Sequence, residues 1–106
     1  MVSVEQIEQA AQTIGGAAGA RAVYLFGSYA RKQARSESDV DFFVIADDPL
    51  PRHKRSRSLY RLFRPYRFSM DILVYTPDEV DRARQDPLSL VSRVLEEGKL
   101  VYGKGA

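Results

Sequence analysis

The sequence predicts an α/β (α+β) domain, a small mixed β-sheet with helices packed on it. Two observations carry this expectation. Short β-prone apolar runs occur at residues 22–26, 40–46 and 68–75, and segments with apolar residues at three- and four-residue steps lie before, between and after them. With 106 residues the chain fits one core, because two would each bury too little surface to offset chain entropy. The expectation is a single domain over 1–106.

Val4, Ile7, Ala11 and Ile14 recur at helical spacing, with Ser3 placed as N-cap and Gly15-Gly16 as a stop, which predicts an amphipathic helix over 4–14. Ala22 to Phe26 reads as a buried strand that Gly27 ends in a turn, and Ser28 is placed to cap a short helix reaching about Gln33. Val40 to Ala46 predicts a second strand, ended by Asp47-Asp48-Pro49. Residues 52–63 set Leu59, Leu62 and Phe63, with Tyr66 beyond them, on a helical period before Pro65 stops it. Phe68 to Tyr75 reads as a third strand, and Thr76-Pro77-Asp78-Glu79 as the N-cap and first turn of another helix. A further helix over Leu88–Glu97 stops at Gly98. Lys99 to Tyr102 predicts a last short strand, and residues 103–106 a flexible tail.

A hydrophobic fraction of 44% with 28% charged residues fits a folded globular chain. The absence of cysteine excludes disulfides, thiolate metal sites and a cysteine nucleophile, so any metal must be held by oxygen or by the single His53. His53 has no second His or Cys to form a ligand set and reads as a surface residue. The N-terminus has neither the basic start nor the apolar stretch of a signal peptide, and no run is long enough to span a bilayer, so the expected setting is cytoplasmic, with no membrane partner. Charge is uneven: residues 1–51 carry four Lys/Arg against seven Asp/Glu, and residues 52–106 carry twelve against seven.

The acids near the second strand suggest the chemistry. Alternation along a strand sends Asp39 and Asp41 to one side, with Cα atoms about 6.5–7 Å apart. Asp71, inside the third strand, would be costly to bury as an ion unless it shares a cation with the other two. Mg²⁺ takes hard oxygen ligands and completes its shell with substrate phosphates. Gly27 lacks a Cβ and precedes Ser28 where a strand end turns into a helix start, a place where backbone N–H groups and a hydroxyl can meet a phosphate. A P-loop or dinucleotide-binding pattern is absent.

Gly27-Ser28, then Asp39-Val40-Asp41 after ten intervening residues, then an Asp on a later strand, resembles the signature of the polymerase-β-like nucleotidyltransferase superfamily. The stretch GSYARKQARSESDVDFFVI and the EEGKLVYG ending resemble the minimal nucleotidyltransferase (MNT) family within it. The resemblance implies a polymerase-β-like nucleotidyltransferase core. By that resemblance Gly27 and Ser28 hold the nucleotide phosphates, with Arg31 as a basic neighbour. Asp39, Asp41 and Asp71 form the catalytic metal site for one or two Mg²⁺ ions, with ATP as co-substrate, and Asp71 helps to deprotonate the acceptor. Lys32 departs from the small residue, often Gly, that the family carries there.

Such domains are often antitoxins paired with a HEPN toxin, and activities of similar proteins include AMP transfer from ATP to a tyrosine of that toxin. Larger relatives carry a second, acceptor-binding domain for which this chain has no room, so a partner is expected to supply the acceptor. The implied function is Mg²⁺-dependent transfer of AMP, or another nucleoside monophosphate, to a side chain of a partner. The alternative is a non-catalytic antitoxin, or a nucleotide- or RNA-binding module, that acts by occlusion. Residues 52–67 hold seven Lys/Arg and no acid, interleaved with Tyr60, Phe63 and Tyr66. They read either as a surface for RNA or an acidic partner, or as a solvated helix face with core aromatics.

Overall fold

Two strands rich in β-branched and aromatic residues, Ala22–Phe26 (β1) and Val40–Ile45 (β2), pair antiparallel and send apolar side chains to both faces of one sheet. The computed structural model describes residues 1–105. Met70–Tyr75 (β3) adds parallel to β2 and Lys99–Gly103 (β4) antiparallel to β1, giving the order β3-β2-β1-β4. Helices Val4–Ala18 (α1) and Arg57–Arg61 (α3) cover one face. Pro77–Ala83 (α4) and Leu90–Glu97 (α5) cover the other, and the short helix Gly27–Ala30 (α2) follows β1 directly. This is the expected small mixed sheet with helices packed on it.

The alternation of β2 decides where the two cores lie. Val40, Phe42 and Val44 join Ile7, Ala10, Ala11 and Ile14 of α1 and Leu59 of α3. Phe43 and Ile45 join Val80 of α4 and Val91 and Val94 of α5. A strand buried on both faces reads as a continuous apolar run, which is why the sequence shows VDFFVI and not an alternating pattern. Among the described residues no helix is long and apolar enough to cross a membrane.

Several boundaries differ from the sequence expectation, each for a tertiary reason. α1 runs through Gly15-Gly16 to Ala18 and ends at Gly19, whose φ of 58° makes the left-handed cap. Gly15 serves packing: a Cβ there would lie 2.4 Å from the Tyr102 ring of β4. Val4, expected on the apolar face, is exposed. Gly103 belongs to β4, paired with Ala22, and the Lys104 N–H donates to the Arg21 carbonyl. Of the expected flexible tail, Ala106 lies outside the described residues. β3 begins at Met70, and α5 at Leu90 after Ser89 caps it.

The expected helix over 52–63 is instead a 3₁₀ turn at Arg52–Lys54 followed by the short α3. Leu62 and Tyr66 are exposed, and only Leu59 of the expected stripe is buried. The break lets Arg55 turn inward. It is 8% exposed; Nε donates to the Leu50 carbonyl at 2.8 Å, Nη1 to the Val74 carbonyl at 3.2 Å, and both Nη atoms to the Glu79 carboxylate. Glu79 also accepts the Thr76 N–H and so closes the capping box of α4. Tyr60 works beside it, its hydroxyl accepting the Ile72 N–H at 2.8 Å. In the parallel pair, alternate residues of β3 turn their backbone groups away from β2, so Arg55 and Tyr60 occupy the open edge of the sheet.

The Arg55 guanidinium holds the Glu79 carboxyl down at about 2 against an ordinary 4.5, with the Thr76 N–H helping and burial opposing. The stability this supplies is present above pH 4.5 and lost as pH falls toward 2. Arg55→Met leaves Glu79 and the Val74 carbonyl without their donor, and it should lower stability by about 2–4 kcal/mol at pH 7 in urea denaturation. The deficit should narrow in acid, as Glu79 of the variant takes up a proton.

Candidate active site

The candidate site lies where β1 ends beside the start of β2. Phe26, the last residue of β1, is paired with Asp41. The chain then turns at Gly27 with a φ of +73° into α2. A Cβ at Gly27 would lie 2.1 Å from Asp41 Oδ2, so the glycine is needed both for its backbone conformation and because the carboxylate packs against it. Ser28 does not cap α2 as the sequence suggested. It lies within the first turn, the N-cap position is Phe26, and no side chain caps the helix. The helix ends at Ala30 and not near Gln33, because Lys32 adopts a left-handed φ of 58°. That conformation explains a preference for Gly at this position.

The parallel register of β2 and β3 sets Asp71 directly beside Asp41. Asp41, Phe43 and Ile45 share the face that α4 and α5 cover further along, and Asp39, one residue before β2, falls on the same side by alternation. Asp41 is half-buried, whereas Asp39 and Asp71 are exposed. Burial in β3 therefore is not what makes Asp71 unusual; it stands on an edge strand and solvent reaches it. The desolvation expected of Asp71 falls on Asp41.

Burial first, then the charges of Asp71 and Asp39, push the Asp41 carboxyl up to about 6 from 3.8, with Arg31 pulling the other way. Among the described residues none of the three acids forms an ion pair or accepts a side-chain hydrogen bond. Nor, among those residues, do three His, Cys, Asp or Glu side chains close around a point where a metal ion would sit. The acids share one end of one face without converging. In donor type they fit a hard divalent cation: only carboxylate oxygens, mutually repelling and without a bonded cation of the protein's own.

Arg31 follows α2 as its C-cap, exposed, and near enough to act on the Asp41 charge. His53 is exposed. Sequence reasoning did not find Tyr60, whose hydroxyl accepts the backbone N–H immediately after Asp71 and whose own pKa is raised, first by burial. The one signal, its place among the aromatics of the basic stretch, left open a binding surface or a core position.

The family model described as polymerase beta, nucleotidyltransferase, matches residues 5–105. Solved structures of like fold include a toxin-antitoxin with AMP-PNP, at 22% identity and a TM-score of 0.63 over 92% of this chain and 73% of that one. A mutant of the toxin-antitoxin MntA-HpeT matches at 21% identity and a TM-score of 0.61, over 92% and 73% of the two chains. A Sulfolobus solfataricus protein provisionally described as a nucleotidyltransferase matches at 20% and 0.63, over 93% and 80%. At these identities the likeness is one of fold. No curated protein sequence matches the chain at a significant level.

Because the folded-state value of Asp41 lies above the unfolded one, its ionised form opposes folding. Without divalent cations, Asp41→Asn should be more stable than the wild type at pH 8, by about 1 kcal/mol after allowance for solvent screening. The difference should fade between about pH 6 and 3.8 as the native carboxyl takes up its proton. Thermal melts across that range in chelator measure it.

Proposed function

The chain belongs to the polymerase β nucleotidyltransferase family, and we propose that it transfers AMP, or another nucleoside monophosphate, from a nucleoside triphosphate to a side-chain hydroxyl of a partner protein. We further propose that it acts as the antitoxin of a HEPN-type toxin. The observation that carries the reading is the packing of Asp41 on Gly27 with two like charges beside it. A protein gains nothing in stability from such a cluster unless a cation neutralises it. Fold likeness to two toxin-antitoxin structures, one holding AMP-PNP, supports the assignment of partner and nucleotide.

In this reading the triphosphate approaches the chain at Gly27, where no Cβ intervenes. The Ser28 hydroxyl donates to a phosphate oxygen and Arg31 supplies counter-charge. Asp39, Asp41 and Asp71 would hold Mg²⁺, one ion or two. When bound, the metal neutralises the carboxylates and the developing phosphate charge and makes the acceptor hydroxyl more acidic. The acceptor oxygen bonds to the α-phosphorus while the bond to the bridging oxygen breaks, and pyrophosphate leaves with that electron pair. The hydroxyl proton passes to Asp71, which the partner can reach because the side chain is exposed. Transfer belongs in a cytoplasmic setting, where ATP and Mg²⁺ are at hand.

A second reading has an observation of its own. The acids do not converge on one point, which suits an antitoxin that neutralises its partner by occlusion and binds nucleotide without turning it over. With ATP labelled at the α-phosphate, Mg²⁺ and lysate of the source cell, the wild type should label a discrete protein band. Asp41→Asn should fold and lose transfer by about 10²–10³-fold. A fully active Asp41→Asn protein would sink the transferase reading. Absence of label from the wild type with the acceptor present, together with neutralisation that survives joint Asp39→Asn and Asp41→Asn change, would favour occlusion.

A further inference from the structure

Three surface hollows converge on one short stretch of chain. A groove of about 410 Å³ separates α1 from the segment before β3. A second, of about 450 Å³, runs past Tyr60 and Tyr66 to Met70, and a third, of about 320 Å³, lies against Ser36 to Ser38. Arg67 and Phe68 line all three. The Val40 N–H ties the starts of β2 and β3 together through the Ser69 carbonyl at 3.0 Å, and alternation turns Met70 toward α1 and its neighbour Asp71 toward the opposite face.

The floor is apolar, from Ala10, Phe63, Phe68 and Met70, and the rim is cationic, from the exposed Arg64 and Arg67. Among the described residues neither arginine pairs with a carboxylate; Arg64 Nε donates to the Tyr66 hydroxyl at 3.5 Å. Leu62 and Tyr66 beside it are about half exposed, at 45% and 52%. Arg57 and Arg61, on the solvent face of α3, line none of these hollows. An unpaired cationic rim over an aliphatic and aromatic floor complements a chain that carries carboxylates beside apolar anchors. A nucleic acid would look for flat, open rings, and most of this floor is half-buried or built from Ala10 and Met70.

We propose that this groove receives an acidic, amphipathic segment of the partner protein. The inference rests on the proposed function for the existence of a protein partner, while the docking itself does not depend on catalysis. It also moves the functional part of the basic stretch from the helix face to the residues between α3 and β3.

The test is fluorescence anisotropy of the whole chain, without nucleotide or metal, at physiological salt. The probes are a labelled peptide of Glu and Leu around one Tyr, the same peptide with Gln for Glu, and a labelled single-stranded RNA of equal length. The acidic peptide should bind, and Arg64→Glu with Arg67→Glu should weaken it at least ~10-fold. Exchange of Glu for Gln in the peptide should weaken binding to the unaltered protein by a similar factor. Arg57→Glu with Arg61→Glu should cost less than ~3-fold. No binding of the acidic peptide, equal losses in the two arginine pairs, or tighter binding of RNA through Arg64 and Arg67 would each overturn the proposal. Since no chemistry is read, failure here leaves the transfer reading standing, and loss of transfer with intact peptide binding leaves the groove standing.

Discussion

The structure depends on a carboxylate kept where a folded chain alone would not keep it. Asp41 is half-buried, pressed against the one residue type that leaves room for it, and beside two further acids. Each neighbouring element answers to that placement. β1 ends opposite Asp41, Gly27 turns the chain without a side chain, and the parallel pairing of β2 with β3 delivers Asp71 alongside. The cost of crowding like charges is met by burial on either side of Asp41 in the same strand, where Val40, Phe42, Phe43 and Val44 are fully enclosed between two helical layers.

That arrangement needs β3 held in register although it lies at the edge of the sheet. The segment between β2 and β3 does this through Arg55, which takes the Val74 carbonyl and the Glu79 carboxylate, and Tyr60, which takes the Ile72 N–H. The same two side chains deny the strand edge to another chain. The groove proposed for a partner lies away from that edge, between α1 and the residues that follow α3. The basic stretch, uniform in sequence, divides in space into a buried anchor, a solvated helix face and a groove rim.

The sequence made legible what is local. Gly27-Ser28, the Asp39 and Asp41 pair, the capped start of α4 and the strands of the core all follow from short-range pattern, and the family match covers nearly the whole chain. What it could not reveal depends on contacts between distant residues. Gly15 reads as a helix stop until the Tyr102 ring is seen against it. Arg55 is one cation among seven until Glu79 is brought to it from α4. The burial expected of Asp71 falls on Asp41 because only the sheet order shows which strand is at the edge. Leu62 and Tyr66 leave the expected helical stripe because the helix breaks to bury Arg55.

The proposed transfer requires the cluster of Asp39, Asp41 and Asp71 to take a cation brought with a nucleotide. The direct measurement is a thermal melt at pH 8 of the wild type and Asp41→Asn, each alone, with Mg²⁺, and with Mg²⁺ plus a non-hydrolysable ATP analogue. The account predicts that the wild type starts less stable than the variant and gains more from Mg²⁺ and analogue together, so that the order of the two melting temperatures reverses. Equal gains in both proteins would contradict it.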